Sequence, residues 1–219
     1  MHVTVIAKAP VPGQVKTRLC PPCTPEQAAQ VAAAALADTL EAVDAVAGVT
    51  GARRVLLLEG ERQEWMPDSF DVLAQRGGGL EERLSNGFRD LGAGVIIGME
   101  TPHMAAALAD AVTGARRGVD TIGLATDGGY WMIGLCDRSV AMAHLLFDGV
   151  PMSGSHSGLA QLRRMHAHGR QVRLLPMARD LDTFDDLKAV AESGRAGSLP
   201  TVAARVLAEM LRMGPTDPS

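Results

Sequence analysis

Aromatic residues are scarce: Phe, Trp and Tyr make up 3% of the 219 residues, so Ala, Val, Leu and Met have to fill the interior. Long apolar runs are absent as well. None approaches the ~20 residues that cross a bilayer, and the N-terminus lacks the charged-then-apolar pattern of a signal peptide. No membrane partner is expected, and the cytoplasm is the default location. Excess positive charge is missing too. With 21 Lys and Arg against 25 Asp and Glu, the net charge is −4, which argues against nucleic acid as a partner. Cysteine is limited to Cys20, Cys23 and Cys136. Cys20-Pro21-Pro22-Cys23 has C-x-x-C spacing, but a structural zinc site wants four ligands, and no second C-x-x-C or nearby His pair supplies them. The thiols are read as reduced and structural.

What is present is an ordinary globular composition, 47% hydrophobic and 21% charged, at a length suited to one sizeable core. The expected organisation is a single domain over residues 1–213 and a disordered tail over 214–219. The most informative stretch is Ala7-Lys8-Ala9-Pro10-Val11-Pro12-Gly13-Gln14-Val15-Lys16-Thr17-Arg18-Leu19. It follows the apolar run Val3-Thr4-Val5-Ile6-Ala7, a buried first strand, and its prolines and glycine force a shaped loop. Lys8, Lys16 and Arg18 sit there with no acid among them. Such a loop suits a phosphate chain: backbone N–H groups approach closely at Gly13, and the cations neutralise charge. The G-x-x-x-x-G-K-[ST] spacing of P-loop NTPases is absent. The same residues would also fit a solvated basic loop.

Along the chain, Thr24-Pro25-Glu26-Gln27 opens a helix with Thr24 as N-cap, running through Ala-rich sequence to about Val46 and ended by Gly48 and Gly51. Strands are expected at 53–59, 70–74, 94–98, 120–125 and 171–176, with helices at 81–91, 103–112, 157–168 and 198–213. Strands alternating with helices imply a parallel, helix-covered sheet. The fully apolar Gly94–Gly98 reads as its central strand and delivers Glu100 at its carboxyl end, where open α/β sheets bind ligands. Asp127 precedes two glycines on a turn, an arrangement that lets a ligand approach the backbone or that merely caps the turn. Thr183 caps a further helix with Asp186 at its third position. His156, His166 and His168 are better explained by a helix terminus than by a metal.

The run AKAPVPGQVKTRL resembles the N-terminal signature of the DUF2064 group of bacterial GT-A-type glycosyltransferase-like proteins, also described as radical-SAM/selenodomain-associated transferases of type one. That group is similar to molybdenum-cofactor-type nucleotidyltransferases. Further matches run to about Leu187: Gln75–Leu84 beside the family's Q-x-G-x-x-L-G-x-R-L, Gly98–Pro102 beside G-[ST]-D-x-P, Asp127–Leu135 beside D-G-G-Y-x-x-I-G-L, Phe147–Ser153 beside F-x-x-I-P-W-S, and Asp180–Leu187 beside D-[IV]-D-T-P-E-D-L. The chain departs from these patterns with Glu81 for glycine, Met99 and Glu100 for the small polar residue and aspartate, Met152 for tryptophan and Phe184 for proline. The resemblance implies a three-layer α/β/α sandwich of the GT-A, nucleotide-diphospho-sugar transferase type with a mostly parallel sheet. It further implies nucleotide binding by Ala7, Lys8, Gly13, Lys16, Thr17 and Arg18, Mg²⁺ or Mn²⁺ on Glu100 and Asp182, and acceptor binding or base catalysis by Asp127. The expected partners are a nucleotide sugar or an NTP, and a small-molecule acceptor. Three readings stay open: glycosyl transfer from a nucleotide sugar, nucleotidyl transfer releasing pyrophosphate, and a nucleotide-binding protein whose glutamate-bearing metal site supports little turnover.

Overall fold

The computed structural model describes residues 1–152 and 154–213, so Ser153 of the Phe147–Ser153 match and the tail expected to be disordered lie outside it. The first half of the chain forms β1 (His2–Lys8), α1 (Pro25–Thr50), β2 (Arg53–Glu59), β3 (Asp71–Ala74), α2 (Leu80–Leu91) and β4 (Gly94–Gly98). The second half forms α3 (Ala105–Arg116), β5 (Asp120–Ala125), β6 (Tyr130–Leu135), α4 (Asp137–Val140), α5 (Ala143–Phe147), α6 (Ser157–Ala167), β7 (Val172–Ala178), α7 (Phe184–Ala191) and α8 (Ser198–Met213). The strands make one sheet in the order β3-β2-β1-β4-β6-β5-β7. Every neighbouring pair is parallel except those of β6, which runs antiparallel to both β4 and β5. This is the expected mostly parallel α/β sheet, with β4 at its centre. Because β6 returns directly from β5, the turn between them lies on the same edge as the carboxyl ends of β1, β4 and β7.

α1 explains why the sequence is so rich in alanine. One side packs Ala29, Ala32, Leu36, Leu40 and Val43 on the sheet, and the other packs Ala28, Val31 and Ala35 against Leu187, Leu199, Ala203 and Val206 of α7 and α8. A helix buried on two sides needs short side chains for both neighbours to reach packing distance. It starts as expected, with a reciprocal Thr24–Gln27 capping box. It does not stop at Gly48: the helix runs through that glycine to Thr50 and is closed by Gly51 at φ 64°, a left-handed conformation that favours glycine. On the opposite face of the sheet, α2 and α5 bring Leu84, Phe88 and Phe147 over Leu57, Ile96 and Ile133. Pro176 is tolerated inside β7 because that strand is at the sheet edge. The helix expected from His103 begins instead with a 3-10 turn over Pro102–Met104, before α3.

His2 gives this fold an acid-sensitive anchor. Its Nε2–H donates to the Gly92 carbonyl at 3.1 Å, and Nδ1 lies 2.7 Å from the Thr4 hydroxyl, which fixes the neutral tautomer with Thr4 donating. Burial, against the opposing pull of the Gly92 carbonyl, pushes the imidazole down from 6.5 to about 4. Above pH 6.5 the ring is neutral in both states and the shift has no effect. Below that, the unfolded chain takes up a proton that the folded one refuses, so stability is lost between 6.5 and 4. Relative to His2→Gln, the unsubstituted protein is expected to lose about 3 kcal/mol across that window in urea titrations, and parallel pH profiles for the two would contradict this.

Candidate functional site

The loop after β1 leaves the sheet at Ala9 and comes back through Lys16, the one non-glycine residue with positive φ (49°) among the described residues. This left-handed conformation turns the Lys16 side chain inward, where it is 4% exposed. Its ammonium pairs with Glu100, just past β4, and donates to the Leu181 carbonyl, just past β7. Two residues on, Arg18 pairs with Asp182, a contact 70% exposed on the arginine side and therefore weakly held. Strand ends far apart in sequence are thus drawn together by two cations of one loop.

A cleft of about 480 Å³ opens here, between Ala7, Lys8 and Thr17 on one wall and Glu100, Asp180 and Asp182 on another. Further along, Lys8 lies 3.4 Å from Glu59, and Glu59 also receives Arg83. Burial alone would raise the Glu59 acid, but Arg83 and Lys8 outweigh it and hold it below the usual carboxylate range. Gln75 donates to the carbonyls of Ala7 and Leu57 at 2.7 and 3.0 Å and receives Arg83 at 3.1 Å, which ties the glycine-rich turn before α2 to the strand ends. Each of the cleft's four cations, Lys8, Lys16, Arg18 and Arg83, therefore already faces a carboxylate.

Of the residues singled out from sequence, Ala7, Lys8, Lys16, Thr17, Arg18, Glu100 and Asp182 line this one cleft. Gly13 does not: it sits at φ 76° at the outer bend of the loop, with nothing near the position of a Cβ. Asp127 is exposed, and its carboxylate accepts from the Gly129 N–H at 2.8 Å. It nevertheless stands near enough to push up the Asp180 acid and to stabilise charged Arg18. The two glycines beside it serve the chain's own packing. A Cβ on Gly128, at φ 93°, would lie 1.8 Å from the Ser155 carbonyl oxygen, and one on Gly158 would lie 2.4 Å from that of Gly129. What approaches this turn is the start of α6, with the Gly158 N–H donating to Gly128 at 2.9 Å. Gly128→Ala is accordingly expected to cost about 2 kcal/mol or more in thermal or chemical unfolding.

Asp180 was not singled out from the sequence, and it is the most perturbed carboxyl of the site. Burial first, then Glu100 and Asp127, drive it up from 3.8 to about 7, with Lys16 pulling the other way. Its Oδ1 is buried without a hydrogen-bond partner. The adjoining capping box leaves Asp182 and Thr183 donating their N–H groups to Asp186, so the segment is pinned and Asp180 cannot readily turn away. The sequence signal was its place two residues before Asp182 across the buried Leu181. Cys20 and Cys23 are free thiols, and burial pushes Cys23 up to about 11, far from a reactive thiolate.

The family of uncharacterized proteins conserved in bacteria, DUF2064, matches residues 39–154, a segment that begins beyond the cationic loop and ends before Asp180. Among solved structures, a Desulfovibrio desulfuricans G20 protein provisionally assigned as a nucleotide-diphospho-sugar transferase superimposes with a TM-score of 0.82 at 22% identity, covering 97% of this chain and 98% of that one. Rv0371c from Mycobacterium tuberculosis H37Rv aligns at a TM-score of 0.51 and 20% identity, over 87% of this chain and 97% of that one. A cytidylyltransferase from Leptospira borgpetersenii serovar Hardjo-bovis (strain JB197) aligns at 0.52 and 10% identity, over 100% and 98%. No protein of curated function matches the chain. The shared sheet establishes the nucleotide-diphospho-sugar transferase type of fold, and the family match spans more than half of the sequence: the chain belongs to the DUF2064 family.

Proposed function

We propose that the protein is a transferase that takes its donor as a nucleotide sugar, with Mg²⁺ or Mn²⁺ as cofactor. The observation that carries this reading is the pairing of Lys16 with Glu100 and Arg18 with Asp182 beside the partnerless Asp180. A diphosphate would take over the two cations, and a divalent cation would take over the acids they release. Neither exchange is favourable alone, because each strands charge of one sign. Together they replace two ion pairs with better ones. Phosphate and metal should therefore bind cooperatively, each raising the affinity of the other by the same factor.

The donor set fits such a cation. All its groups are oxygens, Asp180 Oδ1 lacks a partner, and charge from Glu100 and Asp127 already disfavours an ionised Asp180. Among the described residues no three side chains form a closed metal cage. Mg²⁺ does not need one, since one or two carboxylates plus phosphate oxygens and water satisfy it. Glu100 and Asp180 would hold it, with Asp182 joining once Arg18 moves to phosphate. When bound, the cation supplies charge stabilisation at the leaving phosphate.

The chain's own groups do the rest. Lys16, fixed by Leu181, and Arg18 neutralise the leaving diphosphate, while Lys8, Thr17 and the backbone at Ala7 line its path. In the transfer step the bond between sugar carbon and phosphate oxygen breaks, leaving its electron pair on that oxygen. The acceptor's hydroxyl oxygen bonds to the carbon, and the hydroxyl proton passes to Asp127. A matrix of thermal-shift measurements tests the reading, using nucleoside diphosphates and nucleotide sugars with and without Mg²⁺ or Mn²⁺. A ligand at ~100 times its dissociation constant stabilises the fold by about 2.7 kcal/mol. The expected result is a large shift only when nucleotide and metal are both present. Additive small shifts, or none, would refute the exchange. Release of pyrophosphate from an NTP would replace glycosyl transfer by nucleotidyl transfer.

A further inference from the structure

A second and larger cavity, about 820 Å³, lies between α1, the end of β7 and the segment joining α7 to α8. It shares two residues with the nucleotide cleft, Glu100 and Asp180, so these acids form the wall at which the two spaces meet. The unpartnered, buried Oδ1 of Asp180 belongs to that wall. We propose that this cavity holds the acceptor, a small non-aromatic polyol, with one hydroxyl reaching past the Glu100–Asp180 wall toward the transfer site and Asp127. The charge of Asp127 is felt at Asp180. This inference rests on the transferase reading above and adds the acceptor's place and chemical class.

The lining determines the class. Its floor is aliphatic, with Ala42 and Ala45 of α1, Met104, Met177 and Val190. No Phe, Tyr or Trp lines it, whereas Tyr130 and Trp131 line the nucleotide cleft, so the larger cavity offers no ring for a base to stack on. Its polar groups fall into two sets. Asp38 is spent on the first N–H groups of α8, at Ser198 and Leu199, and Asp186 is spent on Thr183 and Arg179. Glu41, His103 and Arg195 line the cavity with no side-chain ion pair among the described residues, and Glu100 and Asp180 close it at the shared wall. Carboxylates outnumber guanidinium groups around this lining, which disfavours an anionic acceptor, and the hydroxyls of a neutral polyol can donate to these acids and accept from Arg195. The aliphatic floor matches the C–H faces of the same molecule.

Methionines report on the two spaces separately: Met104 and Met177 line the larger cavity and Met99 lines the cleft. The protein labelled with methyl-¹³C methionine would be titrated with glycerol, myo-inositol and glucose, and separately with nucleoside diphosphates plus Mg²⁺. A polyol is expected to move Met104 and Met177 saturably and to leave Met99 in place. Ala42→Phe, which fills the floor, should weaken that binding about tenfold without altering the nucleotide response at Met99. Should α1 not tolerate the larger ring, Met177→Trp carries the test with Met104 as reporter, because Met177 is 62% exposed on an edge strand. Polyols that leave Met104 unmoved, or that bind both variants as tightly as the original protein, overturn the proposal. A silent Met99 with nucleotide and Mg²⁺, alongside a responding Met104, would overturn the nucleotide reading while supporting a polyol site.

Discussion

Lys16→Met is expected to weaken the binding of a nucleoside diphosphate in Mg²⁺ by about 100-fold, and to tighten the binding of Mg²⁺ to the nucleotide-free protein by about threefold. The first effect is the loss of a charge-assisted contact to phosphate from a cation that is 4% exposed and held in place by the Leu181 carbonyl. The second runs the other way, because Glu100 is paired with Lys16 and becomes available once the ammonium is gone. Glu100 keeps about a third of its side chain in water, so the substitution leaves it solvated and should cost the fold only about 1–2 kcal/mol. Isothermal titration calorimetry measures both affinities. A lysine that merely pins the loop would change neither in opposite directions, and a variant with unchanged nucleotide affinity would sink the assignment.

Asp180→Asn should separate stability from metal binding. Its acid is held at about 7 against an ordinary 3.8, so the fold favours the protonated form. Below pH 3.8 the group is protonated in both states and the shift gives its full relative benefit. As pH rises through 7 the folded protein must ionise a buried carboxyl that the unfolded chain ionised earlier, and that benefit is gone. Compared with Asp180→Asn, the original protein without metal is expected to lose about 2–4 kcal/mol between pH 4 and pH 8. Added Mg²⁺ should restore most of this in the original protein and little in the variant. Unfolding transitions at the two pH values, each with and without Mg²⁺, measure all four quantities. Equal responses to Mg²⁺ would remove Asp180 from any metal role.

How much of this was legible in the sequence depended on whether the signal was local. The apolar runs at 94–98 and 120–125 and the two capping boxes at Thr24 and Thr183 were read correctly, because strand pattern and cap chemistry are set within a few residues. Gly48 was misread as a helix end since a single glycine in a helix costs only about 1 kcal/mol, which packing of α1 on two sides outweighs. The glycines after Asp127 were read either as room for a ligand or as part of a capped turn; Asp127 does cap the turn through the Gly129 N–H, and the room is filled by the Ser155 carbonyl, a neighbour that no local pattern announces. Asp180 and Asp182 look alike in sequence. What distinguishes them is that one is buried near Glu100 and the other meets Arg18, and that difference arises only when β7 docks at the sheet edge. The larger cavity was invisible for the same reason, as its walls come from α1, β7 and the α7–α8 segment.

The pairing of Arg18 with Asp182 spans 164 residues, and synthesis at roughly 5–20 residues per second puts roughly 8–33 s between the two. Lys16 waits as long for the Leu181 carbonyl. The loop that we propose grips phosphate therefore acquires the last of its partners only after another 164 residues have been made. Lys8 can meet Glu59 and Lys16 can meet Glu100 earlier in synthesis, so Arg18 is the cation left longest without its carboxylate. A nascent chain halted before Leu181 lacks both the carbonyl that holds Lys16 and the carboxylate of Asp182, and so has no complete site.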